Sequence, residues 1–212
     1  ETRLKEELDI PVFHDDQHGT AIVVGAALMN ALKLANKKID EIKVVLNGAG
    51  AAGIAICKYL LTLGVKNLIA VDRFGIIVEG DTRFNEAQQE LAKITNREKM
   101  VGTLKDALVG ADVFIGVSVA NLVTKEMVKS MNEKAILFPL ANPVPEISYE
   151  DAKEAGAFIV GTGSSEKPNQ INNVLVFPGL FRGALDVRAS TINQEMMIAA
   201  SKGIMSCVSD EE

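Results

Sequence analysis

The densest run of chemically capable side chains lies near the start of the chain. Val12-Phe13-His14-Asp15-Asp16-Gln17-His18-Gly19-Thr20 places two carboxylates and both histidines just ahead of a helical pattern. Adjacent carboxylates repel, so their pairing is costly unless a cation or basic side chain offsets it. Carboxylate oxygens suit a hard divalent cation such as Mg²⁺ or Mn²⁺. An equal alternative has Asp16 capping the helix and His14 and His18 as ordinary polar surface groups. One carboxylate pair is in any case too few for a complete metal site.

A second feature is Gly48-Ala49-Gly50-Ala51-Ala52-Gly53, a G-x-G-x-x-G sequence. Alone it is a weak signal, because glycine is common enough for chance matches. Its setting strengthens it. A β-branched run, Ile42–Leu46, precedes it and an apolar helical pattern, Ala51–Leu63, follows. In such a turn the first glycine permits the tight bend, the second lets backbone approach a pyrophosphate, and the third lets helix and strand pack closely. Phosphate oxygens then face unpaired N–H groups at the positive end of the helix. Asp72 ends the next strand pattern, where it can accept from a ribose hydroxyl. The rival reading is a tight turn that binds nothing. Asp72 argues for NAD by repelling a 2′-phosphate, whereas Arg73 could stack on adenine or pair with that phosphate. The balance favours NAD slightly.

These residues need a frame, and the chain predicts one. Strands are expected at 42–46, 68–71, 113–117, 135–140, 158–160 and 174–177. Helices are expected at 21–34, 51–63, 84–94, 104–109, 124–131, 148–155, 180–189 and 193–208, with Thr124 and Ser148 as caps. Continuously apolar strands alternating with helices mean a parallel sheet covered on both faces, a doubly wound α/β fold of the Rossmann type. Asn142 follows one such strand, and Pro143 biases it towards an extended backbone at the carboxyl edge of the sheet, where ligands of such folds bind. The irregular stretch 162–173 is long enough to suggest function.

Composition narrows the classes. With 22 basic and 28 acidic side chains the formal charge is −6, which disfavours a nucleic-acid partner. There is no Trp, and aromatic residues make up only 5%, so no base-stacking platform stands out. No run of about 18 apolar residues is free of polar interruption, so no membrane span is expected. Cys57 and Cys207 read as buried or half-buried thiols of a reduced, cytoplasmic protein. Met196, Met197 and Met205 read as core packing, and the Lys37-Lys38 and Glu211-Glu212 pairs as solvated faces.

The string from Pro11 to Ala21 resembles the signature of the malic enzymes, particularly the compact bacterial-type ones. Segments 47–53, 71–73, 116–118, 141–147, 172–174 and 177–179 occur in the order that family uses, over essentially the whole chain. The resemblance implies oxidation of L-malate at C2, hydride transfer to NAD(P)⁺, and decarboxylation to pyruvate with a divalent metal as Lewis acid. It implies that Asp16 is the later aspartate of the metal site and that Asp15 interacts with the catalytic lysine. The Glu-Asp pair of that site, the lysine base and the tyrosine acid would lie upstream of Glu1. Neither Tyr59 nor Tyr149 matches the tyrosine. Asn142 would meet a malate carboxylate and the nicotinamide, and Asn173 would be the second substrate amide. Thr20, Gly116, Val117 and Ser118 would line the coenzyme.

The expectation is therefore one dinucleotide-binding domain of a longer chain, cytoplasmic and homodimeric, inactive without its N-terminal catalytic part. Within it, residues 1–36 form the lead-in, 37–192 the Rossmann-type core and 193–212 the closing helix. Two alternatives remain at this point: an amino-acid dehydrogenase of the glutamate type, and a non-catalytic nucleotide-sensing module.

Overall fold

The computed structural model describes residues 1–209. A short helix α1 (Thr2–Glu7) and a π-helical turn (Asp15–Gly19) lead into α2 (Thr20–Ala35). The sheet region then runs β1 (Lys43–Asn47), α3 (Ala51–Leu63), β2 (Asn67–Asp72), β3 (Gly75–Ile76), α4 (Glu86–Ala92) and α5 (Leu104–Leu108). It continues through β4 (Val113–Gly116), α6 (Lys125–Lys129), β5 (Ile136–Pro139), α7 (Tyr149–Glu154) and β6 (Ile159–Val160). A 3₁₀ turn (Asn173–Leu175), α8 (Phe177–Asp186) and α9 (Gln194–Ser206) close the chain.

The strands form one six-stranded sheet in the order β3-β2-β1-β4-β5-β6. All neighbours are parallel except β3, which pairs antiparallel with the end of β2. The two-residue β3 has no counterpart among the expected strands, being too short to carry a hydrophobic pattern.

Alternation along each strand divides the core in two. Val44, Leu46, Leu68, Ala70, Val113, Ile115, Ile136 and Phe138 face a cluster completed by α2, α3 and α4, against which α8 and α9 also pack. Val45, Ile69, Val71, Phe114 and Leu137 face the opposite cluster, covered by α5, α6 and α7. Successive side chains point to opposite faces, and both faces are buried, so the strands must be apolar at every position. That is why they read as continuous apolar runs.

Local chemistry sets the helix ends. Thr124 Oγ1 accepts from the Met127 N–H at 3.3 Å and Ser148 Oγ from the Asp151 N–H at 3.0 Å, the two expected caps. Gly64, with φ of 111°, stops α3 in a conformation that a Cβ would strain. Three helices are also tied through the core. The Tyr59 hydroxyl lies 2.6 Å from Ser201 Oγ and donates to the Met197 carbonyl at 3.1 Å, and Ser201 Oγ donates to the Ile22 carbonyl at 2.8 Å. Burial pushes the Tyr59 phenol above its ordinary range, with Ser201 opposing. Tyr59 is thus a packing residue of the core.

Several expectations need correction. Residues 174–177 are not a strand: Asn172 Oδ1 accepts from the Val174 N–H at 3.0 Å to form the 3₁₀ turn, and Phe177 already opens α8 with Pro178 in its first turn. Lys37 is not simply solvated, since its ammonium pairs with Asp112 at 2.6 Å. Cys57 is buried, but Cys207 is exposed. Met196 and Met197 pack against the core from the edge and are only half-buried. Asp15–Ala35 is long and apolar enough to cross a membrane by length and composition, yet 61% of that window is buried within this fold. It serves here as a core helix against α3 and α9. The Glu211-Glu212 pair lies outside the described residues.

Candidate functional site

Strand register brings the coenzyme motifs together. Asn47 pairs with Val71 on one side and with Gly116 on the other, and Gly116 pairs with Pro139. The carboxyl ends of β2, β1, β4 and β5 therefore stand abreast, carrying Asp72, Gly48, Val117 and, after Leu140, the segment Ala141-Asn142. The chain winds from β1 outward to β2 and later to β4 on the other side, so the crevice between β1 and β4 is the topological switch point.

The glycine turn is shaped by contacts that exclude side chains. At Gly48, φ is 105° and a Cβ would lie 2.6 Å from the Val117 carbonyl oxygen. A Cβ on Gly53 would lie 1.9 Å from the Gly48 carbonyl oxygen, so the helix could not approach the turn. Gly50 differs: it is exposed, and a Cβ there would meet nothing within 4 Å. Close protein packing does not demand glycine at this point, whereas approach of a ligand to bare backbone would. No side chain caps α3, so N–H groups of its first turn, beginning with exposed Ala51 and half-buried Ala52, can serve an anion.

Asp72 braces this turn. Its Oδ2 accepts from the Ala49 N–H at 2.9 Å and from Gln88 Nε2 at 3.0 Å, and its Oδ1 accepts from the Arg73 N–H at 2.7 Å. Gln88 Nε2 also donates to the Ala49 carbonyl at 3.1 Å. The Arg73 guanidinium sits 4.7 Å from the centre of the exposed Phe74 ring, a cation–π contact.

Beyond β4 a second network holds the other wall. Asn47 Nδ2 donates to Ser118 Oγ at 2.7 Å, and Ser118 Oγ donates to Glu146 Oε1 at 3.0 Å. Glu146 also accepts from the Ser118 N–H at 2.8 Å and, through Oε2, from the Ala141 N–H at 3.2 Å. Next to Ala141, Asn142 is exposed, its amide beside Gly163. The intervening 162–173 stretch is pinned by the Ile171 N–H donating to the Thr162 carbonyl at 2.7 Å.

The acidic segment forms the π-helical turn, which packs against α3, the helix that the glycine turn opens. Thr20 follows as the first, half-buried residue of α2. Asp16 is exposed, and no side chain caps the turn or α2, so the capping alternative is not realised. Asp15 points inward. Its Oδ2 accepts from Asn173 Nδ2 at 2.7 Å, while its buried Oδ1 has no hydrogen-bond partner among the described residues. A Cβ on Gly19 would lie 2.2 Å from that oxygen. Burial raises the Asp15 carboxyl above its ordinary value; the Asp16 charge adds to this and His14 opposes it. His18 Nε2 pairs with Glu1 at 2.8 Å, leaving it a structural partner of α1.

Among the described residues no group of three or more His, Cys, Asp or Glu is arranged to hold a metal ion. The carboxylates of Asp15 and Asp16 have chemistry that suits a hard cation, but two of them do not complete a site. The structure thus assembles two groups: Gly48–Gly53, Asp72, Val117, Ser118 and Asn142 around the sheet edge, and Asp15 with Asn173 beside α3. Asn173 belongs to a 3₁₀ turn and not to the expected strand. Gln88 and Glu146 were not expected as site residues. Gln88 carries a local signal, the capping box with Asn85, while two of the three donors to Glu146 belong to Ser118, 28 residues away in sequence.

Comparison with known proteins agrees with this geometry. Residues 17–212 match the family described as "Malic enzyme, NAD binding domain". The chain is 61% identical to the bifunctional malic/malolactic enzyme of Bacillus subtilis, covering 100% of this chain and 52% of that protein. It is 57% identical to the NAD-dependent malic enzyme of Geobacillus stearothermophilus, over 100% of this chain and 44% of that one. The crystal structure of the NAD-dependent malic enzyme of Thermotoga maritima superposes with a TM-score of 0.92 at 57% identity, covering 95% of this chain and 54% of that chain. An NADP-dependent malic enzyme of Haemophilus influenzae is 46% identical over 100% of this chain and 28% of that protein. The chain spans about half the length of the first two relatives. Sheet order, glycine turn and sequence likeness converge: the chain belongs to the malic enzyme NAD-binding domain family.

Proposed function

We propose that this chain is the coenzyme-binding part of a cytoplasmic, homodimeric enzyme that oxidises L-malate and decarboxylates it to pyruvate and CO₂. Residues 1–36 serve as lead-in, 37–192 as the Rossmann-type core and 193–212 as the closing segment that carries α9. The observation that carries the reading is the uncapped start of α3 beside Gly50, where backbone lies open to a pyrophosphate. Gly48–Gly53 bind that group, and Asp72 accepts from the adenosine ribose. Thr20, Val117 and Ser118 line the nicotinamide side. Asn142 and Asn173 donate amide hydrogens to substrate carboxylates, and a neutral amide orients an anion without adding fixed charge. Free Cys57 and Cys207 suit a reducing compartment.

In the reaction the C2 hydrogen leaves malate as hydride to the nicotinamide, and the hydroxyl proton passes to a base outside these residues. Loss of the carboxylate next to C3 then gives an enolate, which is protonated to pyruvate. Asp15, with one oxygen fixed by Asn173 and the other unpartnered among the described residues, is placed to accept from a residue of the remaining protein, the catalytic lysine in this reading. Asp16 contributes one ligand to Mg²⁺ or Mn²⁺, with the other ligands supplied from outside this chain. The bound metal supplies Lewis-acid polarisation of substrate oxygens.

NAD is the proposed coenzyme, because a 2′-phosphate beside Asp72 would meet its carboxylate while Arg73 is engaged by Phe74. The reading is tested by initial rates of malate-dependent coenzyme reduction, with NAD and NADP and with and without Mn²⁺. The full-length protein is expected to require Mn²⁺ and prefer NAD, and the 212-residue chain alone to bind NADH weakly and reduce nothing. Malate-dependent NADH production by the 212 residues alone would refute the division of labour.

A further inference from the structure

We propose that Glu146 is a positioning residue that fixes the nicotinamide end of the coenzyme site without touching the coenzyme. The inference rests on the coenzyme reading above and extends it to a residue deep behind the cleft. Glu146 is fully buried, at 0% exposure. Burying a carboxylate is costly unless strong donors compensate it. Its donors are the Ser118 N–H, the Ser118 hydroxyl and the Ala141 N–H. Both segments lead directly to proposed nicotinamide-side residues: Val117 and Ser118 after β4, and Asn142 after β5. The carboxylate thereby joins two loops that emerge from neighbouring strands.

The space for this joint is kept by Gly116. A Cβ there would lie 2.3 Å from the Glu146 carboxyl carbon, so a side chain at 116 would evict the carboxylate. The Glu146 backbone is anchored independently, its carbonyl accepting from the Val123 N–H at 2.9 Å. Asn47 Nδ2 extends the network to the end of β1 through Ser118 Oγ. The adenine side is held by other contacts, those of Asp72 and Gln88 on Ala49. The cleft therefore has two braces, and Glu146 belongs to one of them.

The test separates the two ends of the ligand. In the full-length protein, Glu146→Gln presents an NH₂ group where one of the N–H donors already points. NADH and ADP-ribose, which lacks the nicotinamide, are titrated calorimetrically against wild type and variant. The expected result is an NADH Kd raised about tenfold, with that of ADP-ribose unchanged within about twofold. Glu146→Asp, which keeps the charge, draws the carboxylate back from its donors and serves where Glu146→Gln fails to fold, is expected to shift NADH alone in the same direction, about threefold. Parallel weakening of both ligands would show a purely structural role and overturn the proposal, as would unchanged NADH affinity in either variant. A wild-type protein that binds neither ligand would overturn the coenzyme reading and this inference with it.

Discussion

The glycine turn and the acidic turn lie against the same helix, α3, yet they are finished to different degrees. In the glycine turn both Asp72 oxygens have donors, and both backbone groups of Ala49 are engaged by side chains. In the acidic turn Asp15 keeps a buried oxygen with no partner among the described residues, and Asp16 stands exposed. Buried polar atoms in native folds are nearly always satisfied. The first region is thus closed by groups of this chain, whereas the second leaves a buried oxygen that no described residue meets.

Substitutions can sharpen or break this contrast. Asp16→Asn in the full-length protein is expected to raise the Mn²⁺ concentration for half-maximal activity about a hundredfold, while NADH affinity measured by calorimetry stays within about twofold. Unchanged metal demand would show that the acidic turn has no share in a metal site. Next in size is the contrast between two glycines of the other turn. Gly53→Ala should lower stability in urea titration by about 2–3 kcal/mol, because its Cβ has nowhere to go. Gly50→Ala should stay within about 0.5 kcal/mol of wild type yet weaken NADH about tenfold. Equal stability losses would mean that Gly50 is needed by the fold and not for ligand approach.

The smallest effect concerns Asp112, a carboxylate as well partnered as Asp15 is poorly partnered. It accepts from Lys37 Nζ at 2.6 Å, the Lys43 N–H at 2.8 Å and Asn132 Nδ2 at 3.0 Å. Burial pushes its pKa up, but these donors prevail and leave it below the ordinary 3.8. A lowered folded value means that the stabilisation is fully present above pH 3.8 and disappears as pH falls through the folded value. Asp112→Asn should therefore cost about 1–2 kcal/mol at pH 7, with the gap to wild type narrowing below pH 3.8 in chemical denaturation. A gap independent of pH would rule out the ionised carboxylate as its source.

What the sequence disclosed follows the range of the interactions involved. The glycine turn, the parallel strands and the caps Thr124 and Ser148 depend on residues close in the chain, and their patterns are legible there. Residues 174–177 misled because Val-Leu-Val-Phe has strand composition, while the deciding groups, the Asn172 side chain and Pro178, flank the run. Lys37 looked like a surface residue because its partner Asp112 is 75 positions away. Asp15 and Asn173, 158 positions apart, stand in different segments of the family resemblance, and only the fold shows that they touch. Glu146 had no local mark as part of a site, since its donors come from two loops that only the assembled sheet brings side by side.

The bracing of Ala49 by Asp72 bears on how such a protein could change its coenzyme. Replacing Asp72 to admit a 2′-phosphate would at once strip the Ala49 N–H of its acceptor and leave Gln88 Nε2 with one partner fewer. Under the role in coenzyme choice proposed for Asp72, selectivity and the integrity of the bend are therefore inherited together. A redesign towards the phosphorylated dinucleotide would have to install a substitute acceptor, or first relieve the repulsion from neighbouring positions with Asp72 left in place.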